Sequence, residues 1–488
     1  MIGGVDKNYR EYKSQWLKIK DFVKGINSVK KNAIKNDYVV LPKGIYKNSP
    51  DAKKYIERGY LPEFTSTALN EANGRIFQQE PRIPENLELL NDFKSNVDLA
   101  NVSLSEMTAK VVDNLNSVTR CGILVDWKGK EQRYKNIKEL EDSGDRAFFR
   151  FYDCLDIAEV VTNSEGKIIK IELIETYIQD SQSFYKIGGN YEELEARRVL
   201  FINENGLYEH RLYVEEKDPK EAIKNSGWTM LKQSIPLANG KPFTEIPFVL
   251  FNGKTNNHEV YKPRLLDMTE TMVAIYRNWI ELEHIMHGVC LPIRTATGVT
   301  QDEVSNLAKV GPLELWYSSN PEAKFGMLEY GGNAIQDVVK NIENKLNIAE
   351  RIGYVFMTDA GNKTAKQTMI ETTGRVLTLK DVIESTNSGI TKALEYVFKF
   401  HRLPFNPEKN DLELSIKQDD EQIDSNVFRA LIEACQINLM RYKDMHKYQV
   451  EHKLTDEQDF EIWKREVSEQ VPETNIDSGG SNFNIEED

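Results

Sequence analysis

Two apolar seams constrain this chain more than any other feature. Leu265, Met268, Met272, Ile275, Trp279, Leu282 and Met286 step by three and four residues in alternation. That spacing places all seven on one stripe of a helix. A second stripe follows at Ile335, Val339, Ile342, Leu346, Ala349 and Phe356. Between them lie short strand-like pieces (LPIRTAT, LELWYS, KFGMLEY) and a helical QDEVSNLAKV, punctuated by Gly311, Pro312, Gly331 and Gly332. The pattern predicts a helix, a small αβ insert and a returning antiparallel helix. The first helix stops near Gly288 and Pro292, as helices do at such residues.

Upstream, the hydrophobic period changes twice. Residues 8–35 read as one helix with Trp16, Ile19, Phe22 and Val23 on one face and lysines on a solvated one. A helical segment is expected over about 50–78, ended by Pro81 and Pro84. Ser103–Arg120 reads as a helix capped by Ser103 or Ser105. At Cys121 the period becomes that of strands: CGILVDW opens a β-rich region running to about 252. Seven further strands are expected there: FFRFYD, DIAEVVT, KIIKIELIETYI, RRVLFIN, LYEHRLYVEE, WTMLKQSI and IPFVLF. Asn163–Gly166 and Asn205-Gly206 mark two hairpin turns, because Asn and Gly accept positive φ.

Downstream of the second seam, YVFMTDAGNKTAKQT (Tyr354–Thr368) reads as a polar loop between two long helices. Met369–Arg402 is the second of these, with kinks expected at Gly374 and Gly389. DLELSIK reads as a lone strand that returns to the β region, and Ser425–Gln449 and Thr455–Glu469 as two more helices. The last residues are acidic and poor in apolar side chains, a disordered composition.

At 488 residues two or three substructures are expected. The formal charge of −14 argues against a general nucleic-acid binder. It suits a conduit that lets DNA pass without holding it. No apolar run reaches the ~18–20 residues of a membrane span, and the N-terminal stretch lacks the apolar core of a signal peptide. Cys121, Cys154, Cys290 and Cys435 are scattered, which suggests buried reduced thiols in a cytoplasmic protein.

Catalytic patterns fail on spacing. GNKT at 361–364 resembles the end of a phosphate loop, but Phe356 stands where that loop needs glycine. His284 and His287 share a helix face without H-E-x-x-H and read as polar positions near a helix C-terminus. No G-x-S-x-G occurs. Asp419-Asp420-Glu421 reads as an exposed acidic turn. No catalytic residue, metal ligand or cofactor is assigned, and a structural role leads.

The order of parts resembles the portal proteins of tailed bacteriophages over about residues 10–465. The resemblance rests on four pieces: YVVLPKG after an aromatic N-terminal helix, TRCGILVDW, RLLDMTETMVAIYRNWIELEHIMHGVCLPIRTATG, and GNKTAKQTMIETTGR. It implies an α+β portal-protein fold with a mixed α/β wing, a helical-hairpin stem, a small αβ clip and a helical crown. In this chain the wing would be 1–262 and the stem helices 263–290 and 334–356. The clip would be 291–333, the channel loop 357–367, the long kinked helix with a wing return strand 368–424, the crown 425–470 and the acidic tail 471–488. It further implies a non-enzymatic ring of about twelve subunits at one capsid vertex of the virion, assembled in the host cytoplasm. Double-stranded DNA passes through such a ring during packaging and ejection. Implied partners are the terminase large subunit, major capsid and scaffold proteins and a head-completion adaptor; no membrane is implied. Asp359, Gly361, Asn362, Lys363, Thr364 and Lys366 would meet DNA in transit. Trp316, Tyr317, Phe325 and Tyr330 would anchor clip contacts or form the clip's own small core. The competing expectations are another capsid-connector or scaffold protein and, from a different class, a packaging ATPase or nuclease.

Overall fold

The computed structural model describes residues 4–84, 87, 90, 93–129, 144–179, 192–216, 227–238, 241–253, 258–289, 293–303, 318–328, 333–357, 365–407, 409–414, 441, 443, 445–447 and 459–469. The chain divides into two compact units, Met1–Ser415 and Ile416–Asp488. No helix among the described residues is long and apolar enough to cross a membrane.

The first unit opens with four helices: α1 (Lys7–Val23), α2 (Ile26–Asn32), α3 (Pro50–Glu57) and α4 (Phe64–Ile76). Asp6 caps α1 by accepting from the Tyr9 N–H at 2.6 Å. The single helix expected over 8–35 is two, because Gly25 takes φ of +89° between them. The segment expected over 50–78 is likewise broken, between Glu57 and Phe64. Ser49 caps α3 with Pro50 at its first position. Trp16, Ile19 and Phe22 of α1 are buried as the periodicity requires.

Helix α5 (Leu104–Ser117) carries a capping box between Ser103 and Glu106 and leads into the β region. That region is two sheets rather than one. Strand β1 (Arg120–Lys128) is central between β2 (Arg146–Asp153) and β10 (Phe248–Asn252), both antiparallel to it. The intervening chain forms a five-stranded antiparallel meander: β3 (Ile157–Thr162), β4 (Ile168–Gln179), β5 (Glu192–Ile202), β6 (Tyr208–Glu215) and β7 (Trp228–Ser234). A two-stranded pair, β8 (Leu237–Ala238) and β9 (Lys241–Pro242), precedes β10.

All seven expected strands of the region form alongside β1, but the second turn differs in detail. The two hairpin turns share one design. Asn163 Oδ1 accepts from the Glu165 and Lys167 N–H groups at 3.0 and 2.9 Å. Asn203 Oδ1 accepts from Asn205 and Leu207 at 3.0 and 3.1 Å. Only Gly166 and Gly206 take positive φ, +80° and +73°. The residue that shapes the second turn is therefore Asn203, not Asn205: its side chain imitates a backbone turn.

Helices α6 (Leu266–Val289), α7 (Asn333–Met357) and α8 (Ala365–His401) complete the unit. One apolar core joins α1–α4 to α6 and α7: Trp16, Ile19, Phe22, Tyr55 and Leu69 meet Met268, Met272, Ile275, Tyr276 and Ala349. Helix α8 runs through Gly389 as one helix. The glycine allows close packing: a Cβ there would stand 2.1 Å from a ring carbon of Phe251 in β10. One turn earlier, Ser385 Oγ donates to the Asn252 carbonyl at 2.7 Å. At the far end, burial and nearby Arg146 hold His401 down to about 4. The ring is therefore neutral at pH 7, and its Nε2 accepts from the Ala147 N–H at 3.2 Å.

Over its described residues, 411–414, the strand expected in DLELSIK joins neither the three-stranded nor the five-stranded sheet. Glu413 makes an isolated bridge to Arg82. The Leu412 and Leu414 N–H groups donate to Thr391 and Asn387 side chains on α8. Cys121 and Cys154 are buried free thiols, pushed up by burial. In the second unit, α9 (Phe460–Glu469) begins where the ring of Phe460 meets that of His446, 5.6 Å between centroids.

Candidate functional site: the helical pair, its strand hairpin and the junction to α8

Helix α6 has two environments along its length. From Leu265 to Leu282 it is buried repeatedly, and on more than the expected stripe: Val273, Tyr276 and Ile280 are buried as well as Met268, Met272 and Ile275. The seam is thus largely covered within the chain, by the N-terminal helices. Polar anchors hold it there. Lys18 pairs with Glu270 at 2.6 Å. Tyr276 Oη donates to the Ile56 carbonyl at 3.2 Å. Arg277 donates to the carbonyls of Tyr38 and Asp37 at 2.7 and 2.8 Å. A Cβ on Gly59 would come within 2.3 Å of the Tyr276 ring, so only glycine lets this loop lie against the helix.

Beyond Leu282 the helix leaves the core. His284, Ile285, Met286 and His287 are exposed. His284 Nδ1 lies 2.6 Å from an Arg58 nitrogen, and its ring meets Tyr55 edge-on. No group of three metal-ligating side chains occurs among the described residues.

Helix α7 divides by face rather than along its length: Ile342 and Ala349 are buried, while Val339 and Ile348 are 38% and 48% exposed. It packs beside α6. Between the two helices in the chain lies a hairpin of β11 (Ile293–Thr297) and β12 (Lys324–Leu328), in register from Ile293–Leu328 to Thr297–Lys324.

A single carboxylate ties the turns of this hairpin together. Glu303 accepts from Thr300 N–H and hydroxyl at 2.9 and 3.1 Å. It also accepts from the Ser318 hydroxyl at 3.0 Å and the Ser319 N–H at 3.2 Å. The Thr300 and Ser319 backbone donors pull it down to about 2. It therefore stays ionised at any pH the protein meets. Asn320 Nδ2 adds a bond to the Gly298 carbonyl at 2.7 Å. Thr300 three residues before Glu303 is the sequence signature of a helix start; the serines were not legible.

The junction between α7 and α8 is tighter than the expected 357–367 loop. Met357 ends α7, and α8 begins at Ala365. Lys366 therefore stands in the first turn of α8 rather than in a loop. Asp359, Gly361, Asn362, Lys363 and Thr364 lie outside the described residues, as do Trp316, Tyr317 and Tyr330. Of the clip residues, Phe325 is described: it pairs across from Ala296 and is 38% exposed.

One hub escaped sequence reasoning. Asp21 of α1 is buried and accepts four hydrogen bonds: from Ser28 and Asn32 at 2.8 Å each, Asn36 at 2.9 Å and Tyr38 Oη at 2.7 Å. Burial and the bond to Asp21 drive the Tyr38 phenol upward, above the range in which it ionises. The polar residues at 28, 32 and 36, four apart, were the available signal.

A family described as a domain of unknown function (DUF4055) matches residues 264–401. The match runs from the start of α6 to the end of α8, so it covers the helical pair, its hairpin and the long helix as one stretch. Among curated proteins no match is found.

Proposed function

We propose that this chain is the subunit of a portal-type ring through which double-stranded DNA passes into and out of a phage capsid. The observation that carries the reading is the helical pair. Helix α6 is rooted in the core over Leu265–Leu282 and exposed beyond it, α7 packs beside it, and a strand hairpin lies between them in the chain. A short junction then leads into the 37-residue α8, which packs on the three-stranded sheet. That order is what a stem, clip, channel loop and wing-crossing helix require. The role is structural: the terminase motor spends ATP, and the ring positions DNA, capsid, scaffold and adaptor proteins at one vertex of the virion.

In this reading the 358–364 junction is multiplied around an axis. Lys363 and Lys366 meet phosphates transiently and in a salt-dependent way, while Asp359 limits net attraction. Electron microscopy of purified particles tests the ring directly. Rings of about twelve subunits with a central hole support it; monomers or filaments at every concentration refute it. ATP hydrolysis by the purified chain would favour the motor class instead.

A further inference from the structure

The most exposed large apolar side chains among the described residues cluster beside one helix. Tyr46 is 80%, Val40 74% and Tyr60 57% exposed. Val40 and Tyr46 sit on the 38–48 loop, whose base Arg277 of α6 pins through the Asp37 and Tyr38 carbonyls. Tyr60 lies edge-on to Trp279 of the same helix, 5.6 Å between centroids. Tyr60 and the base of the loop therefore border the middle of α6.

The entrance of this loop is held twice. The buried Asp21 carboxylate fixes Tyr38 and Asn36 at its entrance, and Arg277 fixes it to α6. A loop so anchored presents its apolar side chains instead of tucking them in. Such a patch on a well-held surface marks an interaction site. It is also basic. Residues 1–54 hold thirteen Lys and Arg against five Asp and Glu, while the whole chain holds 63 against 77. Lys35, Lys43 and Lys47 are exposed around the loop, and none makes an ion pair among the described residues.

A closed ring of more than two subunits needs two different, mutually complementary patches on each copy. The exposed face of α6 and α7 supplies a second one. Ile285 and Met286 near the end of α6, and Val339 and Ile348 along α7, are exposed, with Glu281, Asp337, Glu343 and Glu350 exposed on the same two helices against Lys340 and Arg351. One patch is apolar and basic; the other is apolar with carboxylates in excess. Val40 offers a phosphate backbone no donor and does not stack on bases, and the formal charge of the whole chain is −14, so the pairing with a second copy is favoured over nucleic acid.

Resting on the ring reading above, we propose that the 38–48 loop of one subunit seats on the exposed α6–α7 face of its neighbour. Electrostatic attraction orients the contact, and Val40 and Tyr46 are the side chains buried in it.

The test uses the full chain with a photo-crosslinking benzoylphenylalanine replacing Tyr46, irradiated as assembled particles. The expected product is a two-subunit species. Its crosslinked peptide should contain Ile285–Met286 or part of 339–348. A second variant joins Val40→Ser, Tyr46→Ser, Lys43→Glu and Lys47→Glu. It is expected to raise the concentration needed for assembly at least tenfold, with its circular dichroism and melting temperature as monomer unchanged. Crosslinks confined to other surfaces, or wild-type assembly by the fourfold variant, overturn the proposal. Intact assembly with lost retention of a DNA duplex overturns it in favour of a nucleic-acid contact. If the wild-type chain never assembles, the ring reading itself fails and takes this contact with it.

Discussion

Replacing Gly389 by alanine separates two physical accounts of the long helix. If the glycine only weakens α8, alanine stabilises the protein by about 1 kcal/mol, the usual gain at a helix interior. The packing around it says otherwise. The new methyl carbon would lie 2.1 Å from one Phe251 ring carbon and 2.6 Å from the next, where carbon atoms rest at ~3.5–4.0 Å. Phe251 is fully buried in β10, so its ring has no solvent side to turn into. Overpacking of this kind costs about 1–3 kcal/mol, which outweighs or cancels most of the helix gain. The expected net result is a loss of up to ~2 kcal/mol. Gly74 of α4 is the internal control: nothing lies within 4 Å of its Cβ position, so Gly74→Ala should gain about 1 kcal/mol. Urea unfolding followed by tryptophan fluorescence reads both, at one fixed protein concentration because assembly shifts apparent stability. In a Phe251→Leu background the cost of Gly389→Ala should shrink, since the clashing ring edge is gone. A Gly389→Ala protein as stable as Gly74→Ala would refute the packing account.

Three further outcomes follow from other sites. Asp156, pushed up to about 6 by burial and then by Asp153, holds its proton more tightly folded than unfolded. It therefore stabilises the fold at low pH and loses that contribution as pH rises through 6. The rise is worth ~3 kcal/mol in full, and solvent screening of a partly wet group leaves roughly 1–2 kcal/mol. Asp156→Asn should thus be more stable than wild type at pH 7.5 by about that much, with the gap closing near pH 4 in thermal melts. Arg402 takes φ of +60° just past the end of α8, where the Leu403 N–H reaches the Phe398 carbonyl at 3.0 Å. Arg402→Gly should raise the urea midpoint by an amount equivalent to about 1 kcal/mol; a drop would mean the arginine side chain matters more than the backbone. Finally, Lys363→Ala with Lys366→Ala should assemble normally yet alter DNA packaging or retention, and unchanged packaging would remove the proposed role of those lysines.

Much of this architecture was readable in one dimension because it depends on local periodicity. Period two announced the eight strands β1–β7 and β10. Alternating steps of three and four announced α6, and a looser stripe announced α7. Ser103 or Ser105 announced a helix start. These signals are local because backbone geometry repeats within a turn or a pleat. The partition of the strands was not readable. Nothing in IPFVLF says that it crosses back to β1, and so splits one β region into two sheets. The site divides likewise. The seam marked an apolar stripe, but not that α1–α4 would cover most of it.

Long-range placement made the remaining decisions. Gly389 reads as a weak point in a helix until β10 is placed beside it, and Gly59 as a loop residue until Tyr276 is. Asp21 reads as one acid among lysines until four donors from residues 28–38 close around it. Arg277 is one polar position on a helix until it is found holding the 38–48 loop. In each case the sequence by itself determined the element and the chemical character of the side chain. Its meaning waited on a partner up to 240 residues away, since hydrogen bonds and packing act through space and not along the chain. That is also why the exposed face of α6 and α7 stands out only in three dimensions. Their apolar residues belong to the same seams as the buried ones, and only the fold decides which of them remain uncovered.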